Sequence, residues 1–77
     1  ITIFLLLLLM VNPKFDKAYY RRGLLLKNKG DFINAFKDFE SAIKINASYS
    51  KAHYSMAVLL MNKEANQVIE KHLRQKK

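Results

Sequence analysis

Apolar residues run almost without interruption from Ile1 to Val11, and the pattern then changes character. Farther on, Phe32, Ala35, Phe36, Phe39 and Ala42 recur at steps of three and four, the spacing that puts side chains on one face of a helix. The pattern predicts an apolar segment at 1–11 and helices near 16–29, 31–45, 50–63 and 66–75. Gly30 followed by Asp31 reads as a helix stop and an N-cap: glycine accepts a left-handed backbone, and aspartate can bond the free amides of the next helix. Asn46 and Ser48 end the second of these helices. No strand pattern competes, so the fold class is all-α.

Sliding the chain over itself until Asn12 falls on Asn46 also pairs Lys17 with Lys51, Ala18 with Ala52 and Tyr20 with Tyr54. The same shift pairs Leu25 with Leu59, Leu26 with Leu60, Asn28 with Asn62 and Lys29 with Lys63. Within the unit, Gly23 and Ala35 lack bulk, which lets two antiparallel helices approach closely, while Tyr19, Leu26, Phe32, Phe36 and Phe39 fill the space around them. A period of about 34 residues with this alternation of small and large positions resembles the tetratricopeptide repeat. The resemblance is carried by Ala18, Tyr19, Gly23, Leu26, Gly30, Phe32, Ala35, Phe39 and Ala42. It implies antiparallel helix-turn-helix units stacked as a fragment of an α-solenoid, with 16–49 one complete repeat. Arg22 and Ala47 depart from the family's usual Leu and Pro, and Arg22 is expected to lie on the outer surface with its stem flat against the helix.

Both ends are less regular. In residues 50–77 the first helix of the repeat returns with Ala57 at the crossing position, but Glu64 replaces the turn glycine. Val68, Ile69 and Leu73 make a thin stripe ahead of Arg74, Gln75, Lys76 and Lys77, which reads as a partial, degenerate repeat closed by a polar capping helix. Residues 1–15 admit two readings. Asn12 and Pro13 are in phase with Asn46 and Ala47, as in the closing helix of a preceding repeat, whereas an apolar character all round suits a targeting or anchor segment. Eleven apolar residues fall short of the roughly 20 a spanning helix needs. The opening on Ile1 suggests a fragment or a processed product.

A net charge of +8 with 51% apolar residues excludes a disordered acidic chain and suits an acidic peptide, a phosphate backbone or anionic lipid. The absence of cysteine removes disulfides and thiolate metal sites, and a cytoplasmic location is the expectation. His53 and His72 have no carboxylate at ligand spacing, so no metal and no cofactor is expected. No nucleophile-base set, paired carboxylates or phosphate loop can be assembled, which argues against an enzyme. Arg21, Arg22, Lys27 and Lys29 beside Tyr19 and Tyr20 suggest nucleic acid, but Asp16, Asp31, Asp38 and Glu40 break the stripe.

In the family the first helices of successive repeats line a concave groove. The resemblance therefore assigns peptide binding to Lys17, Tyr20, Arg21, Leu24, Lys27 and Asn28 on one helix, and to Lys51, Tyr54, Ser55, Val58 and Asn62 on its counterpart. The segment KAYYRRG is similar to the last repeat of the carboxylate-clamp co-chaperones, which grip the acidic C-terminal tail of heat-shock chaperones. That likeness implies that Lys17 and Arg21, one turn apart, hold carboxylates. The clamp's other members, a Lys and two Asn from earlier repeats, have no counterpart in this sequence. The expected function is a non-enzymatic scaffold that docks a partner peptide. The alternatives are a purely structural stacking unit of a longer solenoid, or a membrane-tethered or secreted stub in which contact with the membrane is made only by residues 1–11.

Overall fold

The computed structural model describes residues 2–75 as five helices: α1 (Thr2–Val11), α2 (Asp16–Asn28), α3 (Phe32–Ile45), α4 (Ser50–Met61) and α5 (Lys63–Gln75). The array is all-α. Helices α2 and α3 form the most extensive pairing; α1 packs on α2, α4 on α3, and α5 on both α3 and α4, while α2 meets α4 only lightly.

The α2/α3 hairpin is closed by the chemistry expected of Gly30 and Asp31. Gly30 has φ +84°, and the amides of Gly30 and Asp31 return to the carbonyls of Lys27 (3.0 Å) and Leu26 (2.9 Å), so two carbonyls at the helix end find donors. The Asp31 carboxylate then accepts from the Asn34 amide and, at 2.9 Å, from the Asn34 side chain, capping α3. Past the turn the two helices close on each other at Gly23. A Cβ placed there would lie 2.6 Å from Cε1 of Phe39, whose ring is completely buried.

Arg22 does not lie flat on the outer surface as expected. Its Nε and Nη2 donate to the two carboxylate oxygens of Asp38 at 2.7 and 2.8 Å, and its guanidinium stands 5.6 Å from the centre of the Tyr19 ring. Asp38 is buried, so this fork satisfies a carboxylate that would otherwise be stranded between α2 and α3. The hydrogen bonds to Asp38 raise the Arg22 pKa against the opposing pull of burial, with the charge of Asp38 and Tyr19 adding to the rise.

The core falls into two clusters. Leu5 and Leu9 of α1 bury against Ala18 of α2, with Leu8, Phe15, Tyr19 and Leu25 around them. Ala35 and Phe39 of α3 meet Leu59 of α4 and Ala65 and Ile69 of α5, with Tyr20, Leu24, Leu26, Phe32, Phe36 and Met56 packed against them. The turn before α2 repeats before α4. Asn12 Oδ1 accepts from the Lys14 amide and the Asn12 carbonyl from the Phe15 amide; Asn46 does the same for Ser48 and Tyr49. Ala18 and Ala52, the small residues at which the next helix meets the previous one, are both buried.

The second unit departs from the first. Helix α4 stops at Met61 and α5 starts at Lys63, not near 66 as the pattern predicts. With Glu64 in place of a glycine no left-handed turn forms here, and Asn62 supplies the link alone. Its side chain accepts from the Ala65 amide at 3.1 Å and its carbonyl from the Asn66 amide at 2.8 Å. Helix α5 therefore begins three residues ahead of the repeat phase set by Phe32 and reaches across to α3, leaving Ala57 exposed instead of at a helix crossing. Of the stripe expected on α5, Ile69 is buried, together with Ala65, while Val68 and Leu73 are exposed.

Candidate functional site

Helix α2 is flanked by two open grooves. The one between α1 and α2, about 700 Å³, is walled by Phe4, Leu5, Leu8, Phe15, Leu24 and Leu25 and rimmed by Lys17, Arg21 and Asn28. The one toward α4, about 620 Å³, is more polar: Lys17, Tyr20, Arg21 and Leu24 face Asn46, Ser48, Tyr49, Ser50 and Lys51. Lys17, Arg21 and Leu24 thus form a ridge shared by both grooves. No acidic residue lines either one.

Helical spacing sets this ridge: positions 17, 21, 24 and 28 advance by four, three and four along α2. The opposite side of the helix is fixed by Ala18 against α1 and by Gly23 and Arg22 against α3. Lys17 and Arg21 are exposed, and among the described residues neither makes an ion pair. Nearby Asp16 is already engaged: it accepts from the Lys17 amide at 2.8 Å and from the Asn46 side chain at 3.1 Å, which ties the start of α2 to the end of α3. Two cationic side chains without internal partners, beside apolar walls, can take an anionic group and an aliphatic one together.

Tyr20 serves packing more than the groove. Its ring centre is 5.2 Å from that of Tyr49 and 6.1 Å from that of Phe39. The Tyr49 phenol is pushed above its usual range, by burial first and by Asp16 and Tyr20 next, with Arg21 pulling the other way. It therefore stays neutral and keeps its proton at physiological pH.

The counterpart helix is placed less as expected. Lys51 is exposed and lines the α2/α4 groove. Ser55 is a correction: it is only 6% exposed, on the buried face that Ala52 and Leu59 share, and cannot offer its hydroxyl to a ligand. Asn62 spends its side-chain oxygen capping α5. Tyr54 and Val58 are exposed on α4 but lie outside both grooves, as does the half-buried Lys27 of α2. The residues from α1 and the 46–50 turn that wall the grooves are absent from the sequence-based set. The repeat phase carried the signal, since Phe15 and Tyr49, each lining one groove, hold the same position in successive repeats.

His53 Nε2 lies 2.8 Å from the Ala47 carbonyl, and His72 Nε2 is buried with no hydrogen-bond partner among the described residues. Among the described residues no three His, Asp or Glu are placed to hold a metal ion.

Residues 16–49 match the family model of the tetratricopeptide repeat. The match covers the α2/α3 hairpin and the turn after it, less than half of the chain, and this hairpin is similar to a tetratricopeptide repeat. Repeats of this kind generally serve as non-enzymatic modules that hold protein partners. No curated protein and no solved structure matches the chain.

Proposed function

We propose that the α2 ridge binds an acidic peptide, with Lys17 and Arg21 taking its carboxylates and the Leu24 side of the grooves taking an apolar side chain. The observation that carries this reading is the pair of exposed cations, unpaired among the described residues, standing between two grooves without an acidic wall. An acidic C-terminal tail, such as the clamp-type co-chaperones hold on heat-shock chaperones, has the required chemistry, and a cytoplasmic setting goes with such a partner. Arg21 can meet a carboxylate with two parallel bonds and Lys17 adds a mobile charge. Both sit in water, so the attraction is modest and weakens with salt.

The test is fluorescence anisotropy of a labelled acidic peptide with a free C-terminal carboxylate, against its amidated twin and against the Lys17→Ala, Arg21→Ala double variant. Amidation and the double substitution are each expected to weaken binding by about tenfold or more, roughly one charged hydrogen bond. Equal, weak binding throughout would overturn the proposal.

One observation favours the stacking-unit reading as a second role. Tyr54 and Val58 hold the repeat positions of Tyr20 and Leu24, yet are 73% and 37% exposed where Tyr20 and Leu24 pack against the core. A further helix in phase would cover them.

A further inference from the structure

The outer side of α1 differs from that of α3 in a way stacking does not explain. Moved by one repeat, the shift that puts Asn12 on Asn46, residues Ile3, Leu6, Leu7 and Met10 fall on Lys37, Glu40, Ser41 and Lys44. In α3 this stripe stays at the surface although α2, α4 and α5 all pack around the helix; Lys37, Glu40 and Lys44 are exposed. In α1 the same positions are apolar and 75%, 48%, 53% and 73% exposed. A preceding helix placed against α1 as α2 is against α3 would reach Phe4, the counterpart of Asp38, and would still leave the stripe in water. The stripe therefore calls for an occupant other than a repeat neighbour.

Its place on the folded array and its surroundings identify that occupant. Leu5 and Leu9 hold α1 lengthwise against α2, so the stripe runs along the flank of the folded array. No helix among the described residues is long and apolar enough to cross a membrane. A second copy joined through α1 alone would also bury far less than the roughly 1,200–2,000 Å² of a stable protein interface. Beyond the end of α1, Lys14 and Lys44 share the rim of one shallow groove with Pro13 and Ile45, and Lys37 lies two turns back on the same side of α3, with Glu40 the one opposing charge between them. An apolar stripe with Lys14 and Lys44 beyond its end, and Lys37 farther along the outer side of α3, complements the acyl boundary and phosphate layer of an anionic membrane.

We propose that α1 docks in the plane of an anionic lipid surface, burying Ile3, Leu6, Leu7 and Met10 at the headgroup boundary while Lys14, Lys37 and Lys44 contact lipid phosphates. The α2 ridge is left free, so lipid docking and peptide binding are separate properties of the chain.

Vesicle flotation of the whole chain tests this, with phosphatidylcholine vesicles that contain or lack phosphatidylserine. The key variant, Ile3→Lys, Leu6→Glu, Leu7→Ser and Met10→Lys, transplants the α3 pattern and leaves buried Leu5 and Leu9 in place. The wild type should float with the phosphatidylserine vesicles. The variant, with its helical circular dichroism retained, should lose about tenfold or more in partitioning, and Lys14→Ala, Lys37→Ala, Lys44→Ala should weaken it in step with added salt. Lys71→Ala, Arg74→Ala at the far end should change nothing. In a separate Leu6→Trp protein the emission should shift to the blue on vesicle addition, a readout that does not depend on the fourfold variant folding. Failure of the wild type to float, equal partitioning of the fourfold variant, or a dimer by light scattering that this variant abolishes would each overturn the proposal.

Discussion

Gly23→Ala should destabilise the protein even though it puts a better helix former into the middle of α2. On propensity alone the change is worth about 1 kcal/mol of added stability. The new methyl would lie 2.6, 2.8 and 3.2 Å from Cε1, Cδ1 and Cζ of Phe39, where carbon atoms rest at about 3.5–4.0 Å, so a gap of about 1 Å must open. Phe39 cannot give way easily: it is fully buried, packed with Ala35, Leu59, Ala65 and Ile69, and its ring sits tilted against that of Tyr20 with centres 6.1 Å apart. Overpacking of this kind costs about 1–3 kcal/mol. With the propensity gain set against the upper part of that range, a net loss of about 1–2 kcal/mol is expected. That is a large share of the roughly 4–12 kcal/mol available to a domain of this length, and it should lower Tm by about 5–15 °C. Ala57→Gly is the matched control. It occupies the same repeat position but is exposed in α4, and should lose only the propensity difference of about 1 kcal/mol. Thermal and urea unfolding followed by circular dichroism measure both. In a Phe39→Leu background the Gly23→Ala penalty should shrink, because the atoms it meets are gone. A Gly23→Ala protein as stable as the wild type would refute the close approach of α2 and α3.

Three further outcomes follow from the same geometry. Arg22→Ala should cost about 2–3 kcal/mol in urea unfolding, because it strands the buried Asp38 carboxylate, whereas Arg22→Leu combined with Asp38→Leu should be nearly neutral. Removal of the α3 cap by Asp31→Ala should cost about 0.5–1 kcal/mol, the lower part of the range for caps, since the amide bond to Asp31 is long at 3.4 Å. Tyr49 has a folded pKa above its unfolded one, so its contribution is intact below about pH 10 and lost as pH rises through the folded value. Tyr49→Phe should therefore flatten the alkaline limb of the stability profile in thermal melts between about pH 9 and 12, a window set around the ordinary tyrosine range.

What the sequence made legible was what local chemistry decides. Gly30 and Asp31 mark their turn because only glycine enters the left-handed region cheaply and aspartate caps the helix that follows, and both effects act within a few residues. The ridge of Lys17, Arg21, Leu24 and Asn28 followed from helical spacing once the face was known. What escaped depended on packing. Arg22 and Asp38 are sixteen residues apart, and nothing in either neighbourhood says that the two side chains meet. Ser55 shares its repeat position with exposed Arg21, yet it is buried, because α5 begins early, leans on α3 and leaves the Ala57 side of α4 open. That early start came from Asn62 acting as a cap where the repeat elsewhere has a three-residue turn, a choice made by the missing glycine at position 64. The apolar run at 1–11 was plain from the start, but which of its residues face α2 and which face outward required the structure.

Peptide binding at the α2 ridge is tested most directly by titrating the isotope-labelled protein with an acidic peptide bearing a free carboxylate and following amide shifts by NMR. Binding at the ridge predicts the largest shifts at Lys17, Arg21, Leu24 and Asn28, extending to Tyr49 and Lys51, with α5 unmoved. Shifts confined to the basic end of α5, or scattered over every exposed lysine, would contradict it and leave the charge of the chain, not its groove, as the source of any binding.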